Sequence, residues 1–416
     1  MLGGAILCVL LFASGASGFR RSRSPPLRPA RPLQLNIPLS GSLPTVDAVL
    51  CVAAVVAFHE AGHFLAAKVQ RIKIDSYNIG YGPKVLSYKG KEEGAIDYSL
   101  RLLPFGGYVS FPSNVKRDEE TGEVTELSDP DLLENRPPLQ KALVIASGVI
   151  ANLLLAFLLA AYSSLSTGIS RPIFGEGVTV VSVSDTFGAN SPAKAVQLLP
   201  NDIIVAVSDA SGTQRIATND VPRFVSYVRA HPSTEISLEV RRGALTMSKK
   251  ITPLDVSGKG QGTIGVNVNA NVVSFDTVKA LNIAEAAAIG LQETIRLLQA
   301  TVNGLVQGLT NGFSAGNIGG PISIVREGAR IAESSPRALV GFAAALSVNL
   351  AVLNSLPVPA LDGGQFVFVA IEQLTGKKLP RTAQENVYIV AFVIFMALTA
   401  TAFVNDIGGL GASFIK

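Results

Sequence analysis

Long apolar segments dominate the pattern of hydrophobic and polar positions in this chain. Four of them are long and apolar enough to cross a bilayer as helices. They run approximately from Val46 to Val69, from Leu139 to Leu165, from Leu339 to Val358 and from Val387 to Val404. The pattern predicts a multi-pass α-helical membrane protein with about four transmembrane helices, and it makes the lipid bilayer one of its partners.

Between the second and third segments the hydrophobic period changes to two. Apolar and polar residues alternate in three runs separated by turn residues, which are Val178–Val183, Ile203–Val207 and Ile236–Val240. This predicts a small inserted β-rich domain over residues 175–272. Within it, the segments Ser191–Ala195 and Leu199–Ile204 resemble a PDZ domain of the bacterial protease type. The resemblance implies that peptide tails of other proteins bind there by adding to a sheet edge.

Two other stretches are less regular. Residues Ile283–Leu309 show helical spacing with few charges, which predicts an amphipathic helix. The stretch Ile72–Pro138 has mixed polarity, and its segment Leu102–Val109 is compatible with two structures. One is a hairpin loop that dips back into the membrane against protein or water, and the other is a strand pair on the surface.

The basic residues suggest an orientation. With four spans, both termini and the β-rich domain lie on one side of the membrane, and the stretch Ile72–Pro138 lies on the other. The positive-inside rule places that stretch in the stroma or cytoplasm because of five basic residues in and beside it, which are Arg71, Lys73, Lys84, Arg136 and Lys141.

The N-terminus has the pattern of a targeting sequence. Residues 1–18 combine an apolar core with small residues before Phe19, as in a cleavable signal peptide. Residues 19–45 are rich in Arg, Ser and Pro, as in an organelle transit peptide. Together they resemble the bipartite presequence of algae with secondary plastids, which predicts a plastid envelope or thylakoid protein. The alternative is a secretory signal followed by a disordered linker.

Composition restricts the possible chemistry. The chain is 48% hydrophobic, and its formal net charge of +4 is small for 416 residues. No basic patch is interleaved with aromatic residues, so nucleic acid is not expected as a partner. Two cysteines in separate apolar stretches cannot build a disulfide framework or a thiolate metal site. Any metal site must therefore use carboxylates and the three histidines.

Two of those histidines form a HExxH motif in the first apolar segment. On a helix, His59 and His63 lie one turn apart on one face, so both imidazoles can bind one metal ion. Glu60 is placed to take the proton of an attacking water molecule. Ionisable residues at membrane depth are costly and mark a functional site. The motif therefore predicts a zinc site, which needs a third protein ligand.

Asp362 is the best candidate for the third ligand. It follows the third apolar segment in the stretch Asn354–Gly364, where two prolines end the helix and a glycine pair allows a turn. A carboxylate at membrane depth is costly unless a metal neutralises it. The alternative is that Asp362 caps the next helix at the membrane surface.

These motifs, in this order, resemble the site-2 protease family of intramembrane zinc metalloproteases over most of the chain after residue 46. The matching segments are His59–His63, Leu103–Val109, Ser147–Asn152, the PDZ-like insert, Gly319–Ser323 and Asn354–Gly364. One departure is Val149, where the family often has proline, and we expect it to alter only the start of a helix. The resemblance implies a protease core in two parts, residues 46–165 and 281–416.

The resemblance also implies roles for individual residues. His59, His63 and Asp362 would bind zinc, and Glu60 would be the general base. Asn354 would contact the substrate or its developing oxyanion. The loop with Gly106 and Gly107, with the PDZ-like domain, would admit and select transmembrane protein substrates.

The predicted function is hydrolysis of peptide bonds in or near the transmembrane segments of other proteins. An alternative from another class is a catalytically silent membrane scaffold that binds protein tails through its PDZ-like domain. A soluble metalloprotease with an unrelated anchor is disfavoured because HExxH lies in an apolar segment. A transporter is disfavoured because no paired inverted repeats are visible.

Overall fold

The computed structural model describes residues 44–400 with gaps at 93, 118–123, 185–190, 210–211, 256–257, 259, 312–319, 336, 360, 378–379, 381, 392, 395 and 398–399. The predicted signal peptide, residues 1–18, lies outside the described residues, as does nearly all of the predicted transit segment, residues 19–45.

The described helices and strands follow one another in chain order. The helices are α1 (Pro44–Val69), α2 (Pro138–Ser166), α3 (Pro192–Ala195), α4 (Val221–Ala230), α5 (Ile283–Asn311), α6 (Pro321–Ser334), α7 (Ala338–Asn354) and α8 (Asp362–Thr375). Residues 382–391 are also helical. The strands are β1 (Ser76–Lys89), β2 (Asp97–Ser110), β3 (Val115–Arg117), β4 (Val124–Glu126), β5 (Ile169–Val183), β6 (Ile203–Asp209), β7 (Gly212–Arg215), β8 (Ile236–Arg242), β9 (Leu245–Ile251), β10 (Leu254–Asp255), β11 (Gly262–Thr263) and β12 (Val266–Val278).

The chain divides into two compact units. The first, called here the helical unit, comprises the chain up to Gly168 and from Lys279 onward. The second, the β-rich unit, comprises Ile169–Val278. The β-rich unit is therefore an insertion in the helical unit.

Two helices of the described chain are long and apolar enough to cross a membrane. They are α1 and α2, of 26 and 29 residues. The third predicted span corresponds to α7, an apolar helix of 17 residues that ends at Asn354 rather than Val358. Proline at position 357 explains the earlier end, because it disfavours helix in the residue before it. The fourth predicted span falls partly outside the described residues, so four spans remain a prediction.

The stretch between α1 and α2 contains a sheet of two bent strands. Residues Ser76–Ile79 of β1 lie beside Asp97–Leu100 of β2 in parallel register, and beside Gly107–Ser110 in antiparallel register. The segment Leu102–Val109 therefore belongs to a strand pair. Tyr77 ties this sheet to α1, because its hydroxyl donates a hydrogen bond to the carbonyl oxygen of Ala57 at 2.7 Å.

The β-rich unit is built on one antiparallel sheet. Its strand order is β12-β5-β6-β8-β9, and β7 pairs with β6. The period-two pattern of the sequence turns alternate residues inward, where Val178, Ile204, Leu238 and Val240 are fully buried with Phe224 of α4. Asp220 accepts a hydrogen bond from the backbone N–H of Arg223 and so caps α4.

The helical unit packs α1, α6 and α7 around a different apolar cluster. Val55 and Val56 of α1 contact Ile324 of α6 and the buried side chains Phe342, Leu346, Leu350 and Leu353 of α7. The helix α2 packs against α1, α5 and α7. This packing buries three ionisable residues of α1, which are His59, Glu60 and His63.

Candidate metal centre

The helix α1 brings two histidines of the HExxH motif to one point. His59 and His63 are buried and lie one turn apart, so their Nε2 atoms are only 3.3 Å from each other. Most of the exposed side chains on the same helix are apolar, such as Leu50 and Leu65, and the exposed polar ones, Thr45 and Lys68, lie in its first and last turns. The two imidazoles therefore form a polar site within an apolar helix.

Asp362 joins them from α8, across a sequence separation of about three hundred residues. Its Oδ2 atom lies 3.2 Å from Nε2 of His59 and 3.3 Å from Nε2 of His63. Leu361 is the N-cap residue of α8, and no side chain caps this helix. Asp362 is thus the first residue inside α8, and the alternative of a surface helix cap is wrong. The glycine pair also lies inside α8 rather than in a turn.

The three atoms fit a zinc ion. In a tetrahedral site with ligand bonds of about 2.0–2.2 Å, neighbouring ligand atoms are about 3.3 Å apart. The Oδ2 atom of Asp362 is buried and accepts no hydrogen bond, which is costly for a carboxylate oxygen unless a cation binds it. Among the described residues this is the one group of three His, Cys, Asp or Glu side chains that can bind a common metal ion.

The helix α2 contacts both histidines through their Nδ1 atoms, the ring nitrogens that do not face Asp362. Nδ1 of His63 donates a hydrogen bond to the carbonyl oxygen of Val144 at 2.8 Å. The side-chain amide nitrogen of Asn152 lies 3.2 Å from Nδ1 of His59. Residues 144 and 152 are two turns apart on one face of α2, so a single helix supports both imidazoles. Such outer partners fix the ring orientation of metal-binding histidines.

Rotating the Asn152 amide by 180° adapts it to a metal-bound His59. If His59 binds the metal through Nε2, its Nδ1 carries the proton and needs an acceptor, which is the amide oxygen of Asn152 after rotation. The side-chain amide nitrogen of Asn152 then faces the hydroxyl of Ser347, at the 3.4 Å distance now measured to its amide oxygen. The same hydroxyl donates a hydrogen bond to the backbone carbonyl oxygen of Asn152 at 2.9 Å. Ser347 of α7 thus supports Asn152.

Gly148 lies between these two contacts, and a side chain would not fit there. A Cβ atom at Gly148 would lie 2.3 Å from Nε2 of His63 and 2.7 Å from Cε1 of His59. The glycine therefore lets α2 approach the imidazoles closely. The expectation that Val149 alters a helix start is wrong, because α2 begins at Pro138 and position 149 lies well inside it.

Glu60 and the glycine loop lie against each other. Glu60 is buried, and a Cβ atom at Gly107 would lie 2.9 Å from its Cγ atom. Gly106 has a φ of 135°, which side chains disfavour. The hydroxyl of Tyr81 donates to the carbonyl oxygen of Gly107 at 3.4 Å and supports this end of β2. Gly107 is therefore beside the Glu60 side chain, and Gly106 precedes it in β2.

Asn354 is the last residue of α7, and its side chain lies beside His59. Its amide nitrogen is 3.3 Å from Nε2 of His59, and its amide oxygen is buried without a hydrogen-bond partner. The structure thus brings Asn354 together with His59, Glu60, His63 and Asp362.

The supporting roles of four residues were not predicted from the sequence, namely those of Val144, Gly148, Asn152 and Ser347. Asn152 and Gly148 were visible as members of a family motif, and Asn152 is an amide in an otherwise apolar segment. The carbonyl of Val144 had no sequence signal, because every residue has one.

Comparison with known proteins agrees with this centre. A family model described as Peptidase family M50 matches residues 47–398. The chain belongs to peptidase family M50, the site-2 protease family. The match to the M50 family includes α1, α2, α7 and α8, which carry the metal centre.

Two M50 relatives show the extent of the similarity. A candidate zinc metalloprotease of Synechocystis sp. is 36% identical, over 88% of this chain and 94% of its own length. The chloroplastic membrane metalloprotease ARASP of Arabidopsis thaliana is 34% identical, over 90% of this chain and 81% of its own length.

Among solved structures, the PDZ domain of an SdrC-like protein from Listeria monocytogenes matches a quarter of the M50 chain. The match covers 24% of this chain and 93% of that domain, with 20% identity and a TM-score of 0.19.

Proposed function

We propose that this M50 metalloprotease is an intramembrane zinc protease that hydrolyses peptide bonds in or near transmembrane segments of other proteins, as in regulated intramembrane proteolysis. The observation that carries the proposal is the convergence of His59, His63 and Asp362, with ligand atoms 3.2–3.3 Å apart, beside a buried Glu60. The three ligands come from α1 and α8 and are supported by α2; among the described residues, α1 and α2 are the helices long and apolar enough to span a bilayer.

Each residue of the site has a proposed role in peptide hydrolysis. His59, His63 and Asp362 would hold the zinc ion, which activates water and polarises a carbonyl group when it is bound. Glu60 would take the proton of the attacking water and later deliver it to the leaving amine. The amide nitrogen of Asn354 would donate a hydrogen bond to the developing oxyanion. Val144 and Asn152 would keep the imidazoles in place.

The edge of β2 would present the substrate to Glu60. Among the described residues, Gly107–Ser110 pair on one side with Ser76–Ile79, and no strand pairs with their other side. A substrate helix hides its carbonyl groups in its own hydrogen bonds and must unwind before cleavage. An unwound segment can pair with this free edge and place a peptide bond next to Glu60. Gly106 and Gly107 are therefore proposed as substrate-binding residues.

The β-rich unit would bind peptide tails, in keeping with its predicted PDZ-like character. A groove of about 340 Å³ runs between α4 and residues 261–268, and Phe224, Val228 and Ile264 line it. Apolar side chains beside β12, the outer strand of the sheet, suit an extended peptide. In this proposal residues 175–272 select substrates, and residues 46–165 and 281–416 form the protease core.

For location, we propose a plastid membrane, crossed by four helices. Two relatives from Arabidopsis thaliana are named chloroplastic. The predicted signal and transit segments agree with a plastid that is surrounded by extra membranes, as in algae with secondary plastids.

A variant of the general base tests the proposal. In Glu60→Gln protein, zinc content measured by mass spectrometry should equal that of the wild type, whereas cleavage of a model transmembrane substrate should fall about 10²- to 10⁴-fold. The matched control is Glu92→Gln, at an exposed position between β1 and β2, which should leave both quantities unchanged. Absence of zinc from both the wild type and Glu60→Gln would instead support a silent scaffold.

A further inference from the structure

An ion pair outside the metal centre joins α2 and α8. Lys141, in the first turn of α2, is a buried lysine. Its Nζ atom lies 2.9 and 3.2 Å from the two carboxylate oxygens of Glu372, in the last turn of α8. The side chains of both partners are at most 19% exposed. This is a more costly arrangement than a surface ion pair, because both charges lose water.

The position of the pair relates directly to the metal centre. Asp362 begins α8, and Glu372 lies about 15 Å further along it at the ordinary helical rise. On α2, Lys141 precedes Val144 by one turn, and Val144 holds His63 through its carbonyl oxygen. The same two helices that support and supply metal ligands are thus joined a second time. A helix held at both ends can neither slide nor rotate freely.

Part of α8 borders an open cavity instead of packed side chains. A cavity of about 680 Å³ lies along the helix between the two points of attachment. Ile145 of α2 and Gln365 and Phe368 of α8 line it, together with Lys141 and Glu372. Side chains next to a cavity lack part of their packing contacts. The ion pair therefore carries more of the attachment of α8 than it would in a tightly packed helix pair.

We propose that Lys141 and Glu372 are positioning residues that hold α8 in register with α2, so that Asp362 meets His59 and His63 at metal-binding distance. The pair does not contact the reacting atoms. Buried ion pairs add little net stability, but in some proteins they select one arrangement of the elements they join, and this is the role proposed here. This inference rests on the proposed zinc site and is independent of the identity of the substrate.

The test is the zinc affinity of the purified full chain in detergent, measured by competition with a chelator. Lys141→Met and Glu372→Gln should each weaken zinc binding by about 10-fold, the smaller loss typical of outer partners of a metal site. The charge exchange Lys141→Glu with Glu372→Lys should recover most of that loss, because the pair is restored in reverse. A general loss of packing would not be repaired by exchanging charges.

A matched control separates the pair from other lysines of the helical unit. Lys73 also forms an ion pair, with Asp129, but on the exposed surface between α1 and α2. Lys73→Met should leave zinc affinity unchanged. Glu372→Gln preserves the shape of the side chain and provides the test if Lys141→Met does not fold.

The outcomes distinguish this inference from the proposed function. Equal zinc affinity in the wild type, Lys141→Met and Glu372→Gln would refute the positioning role and leave the zinc site intact. Weaker binding that the charge exchange fails to recover would also refute it. A wild-type chain that binds no zinc would refute the metal site and this inference together.

Discussion

The two units of this protein both have apolar clusters, but they differ in the polar groups they bury and in the apolar side chains they expose. In the β-rich unit the interior is a continuous apolar cluster around Ile204 and Leu238. In the helical unit, His59, Asn152 and Asp362 are buried, while many large apolar side chains are exposed. The exposed ones include Leu50, Leu65, Leu139, Ile150 and Leu154. An apolar exterior around a polar centre is the pattern expected of a protein surrounded by lipid.

This difference changes what holds each unit together. Removal of apolar surface from water stabilises the β-rich unit. In lipid that driving force between helices is absent, so close packing and hydrogen bonds replace it. The approach of Gly148 to the imidazoles and the contact of Asn152 with His59 are examples. Mutations should therefore affect the two units through different properties.

The largest effect expected is on the core of the β-rich unit. Leu238 is 0% exposed, and Leu238→Ala should lower the free energy of unfolding of this unit by about 2–5 kcal/mol. The zinc content of the full chain should not change, since the proposed metal ligands belong to the helical unit. Hydrogen exchange of β6 and β8 peptides, followed by mass spectrometry, measures the loss of stability.

Leu245 provides the control for that mutation. It begins β9, next to β8 in the sheet, but it is 69% exposed. Leu245→Ala should change the exchange of the same peptides little. Loss of zinc from Leu238→Ala would show that the two units do not fold separately, and the comparison between them would no longer hold.

Local periodicity explains which parts of this structure were predictable. The spacing of His59 and His63 and the alternation in β6 and β8 are properties of a single helix or strand, so the sequence predicts them directly. Asp362 required a further argument, namely that a carboxylate at membrane depth needs a cation. The bent pairing of β1 and β2 was left open, because both a re-entrant hairpin and a surface strand pair have the same local pattern.

Contacts between distant helices were not predictable in the same way. That Val144 accepts a hydrogen bond from His63 depends on how α2 rotates about its axis, and the apolar residues around α2 do not determine that rotation. The Lys141–Glu372 pair joins residues 231 positions apart and has no local signal. Four spans, the domain boundaries and the roles of Glu60 and Asn354 remain predictions.

Substitutions of two glycines, Gly148 in α2 and Gly341 in α7, test how close packing supports the proposed metal site. Gly148→Ala places a methyl group against both imidazoles, and overpacking costs about 1–3 kcal/mol. Zinc affinity should therefore fall by about 10- to 100-fold in chelator competition. Gly341 in α7 has no atom within 4 Å of an added Cβ, so Gly341→Ala should bind zinc like the wild type. Equal affinities in the two variants would contradict the close approach of α2.

A smaller effect is expected from the support of His59. Asn152→Ala removes the partner of Nδ1 and should weaken zinc binding by about 10-fold, near the lower limit for such partners. Asn349→Ala is the matched control. Asn349 accepts a hydrogen bond from Thr301 at 2.6 Å and contacts no histidine, so its loss should leave zinc affinity unchanged. An unchanged affinity in Asn152→Ala would show that α1 alone orients His59.

The smallest expected effect depends on pH and belongs to the β-rich unit. Burial raises the pKa of the Asp202 carboxyl. Hydrogen bonds from Arg242 at 2.6 and 2.7 Å and from the backbone N–H of Leu199 lower it by more than burial raises it, so the pKa lies below its ordinary value. The stabilisation is therefore complete above the ordinary Asp pKa of about 3.9 and is lost as the pH falls through the folded value.

The expected loss is on the order of 1 kcal/mol. Hydrogen exchange of β6 and β8, corrected for the intrinsic pH dependence of exchange, should show it in the wild type. Asp202→Asn removes the titrating group and should flatten this dependence, whereas Glu235→Gln, in an exposed pair with Lys250, should retain it. If Asp202→Asn keeps the slope of the wild type, carboxylates elsewhere determine the acid stability of this unit. Apolar packing, rather than the Asp202–Arg242 charge pair at the start of β6 and the end of β8, would then account for the stability of this unit.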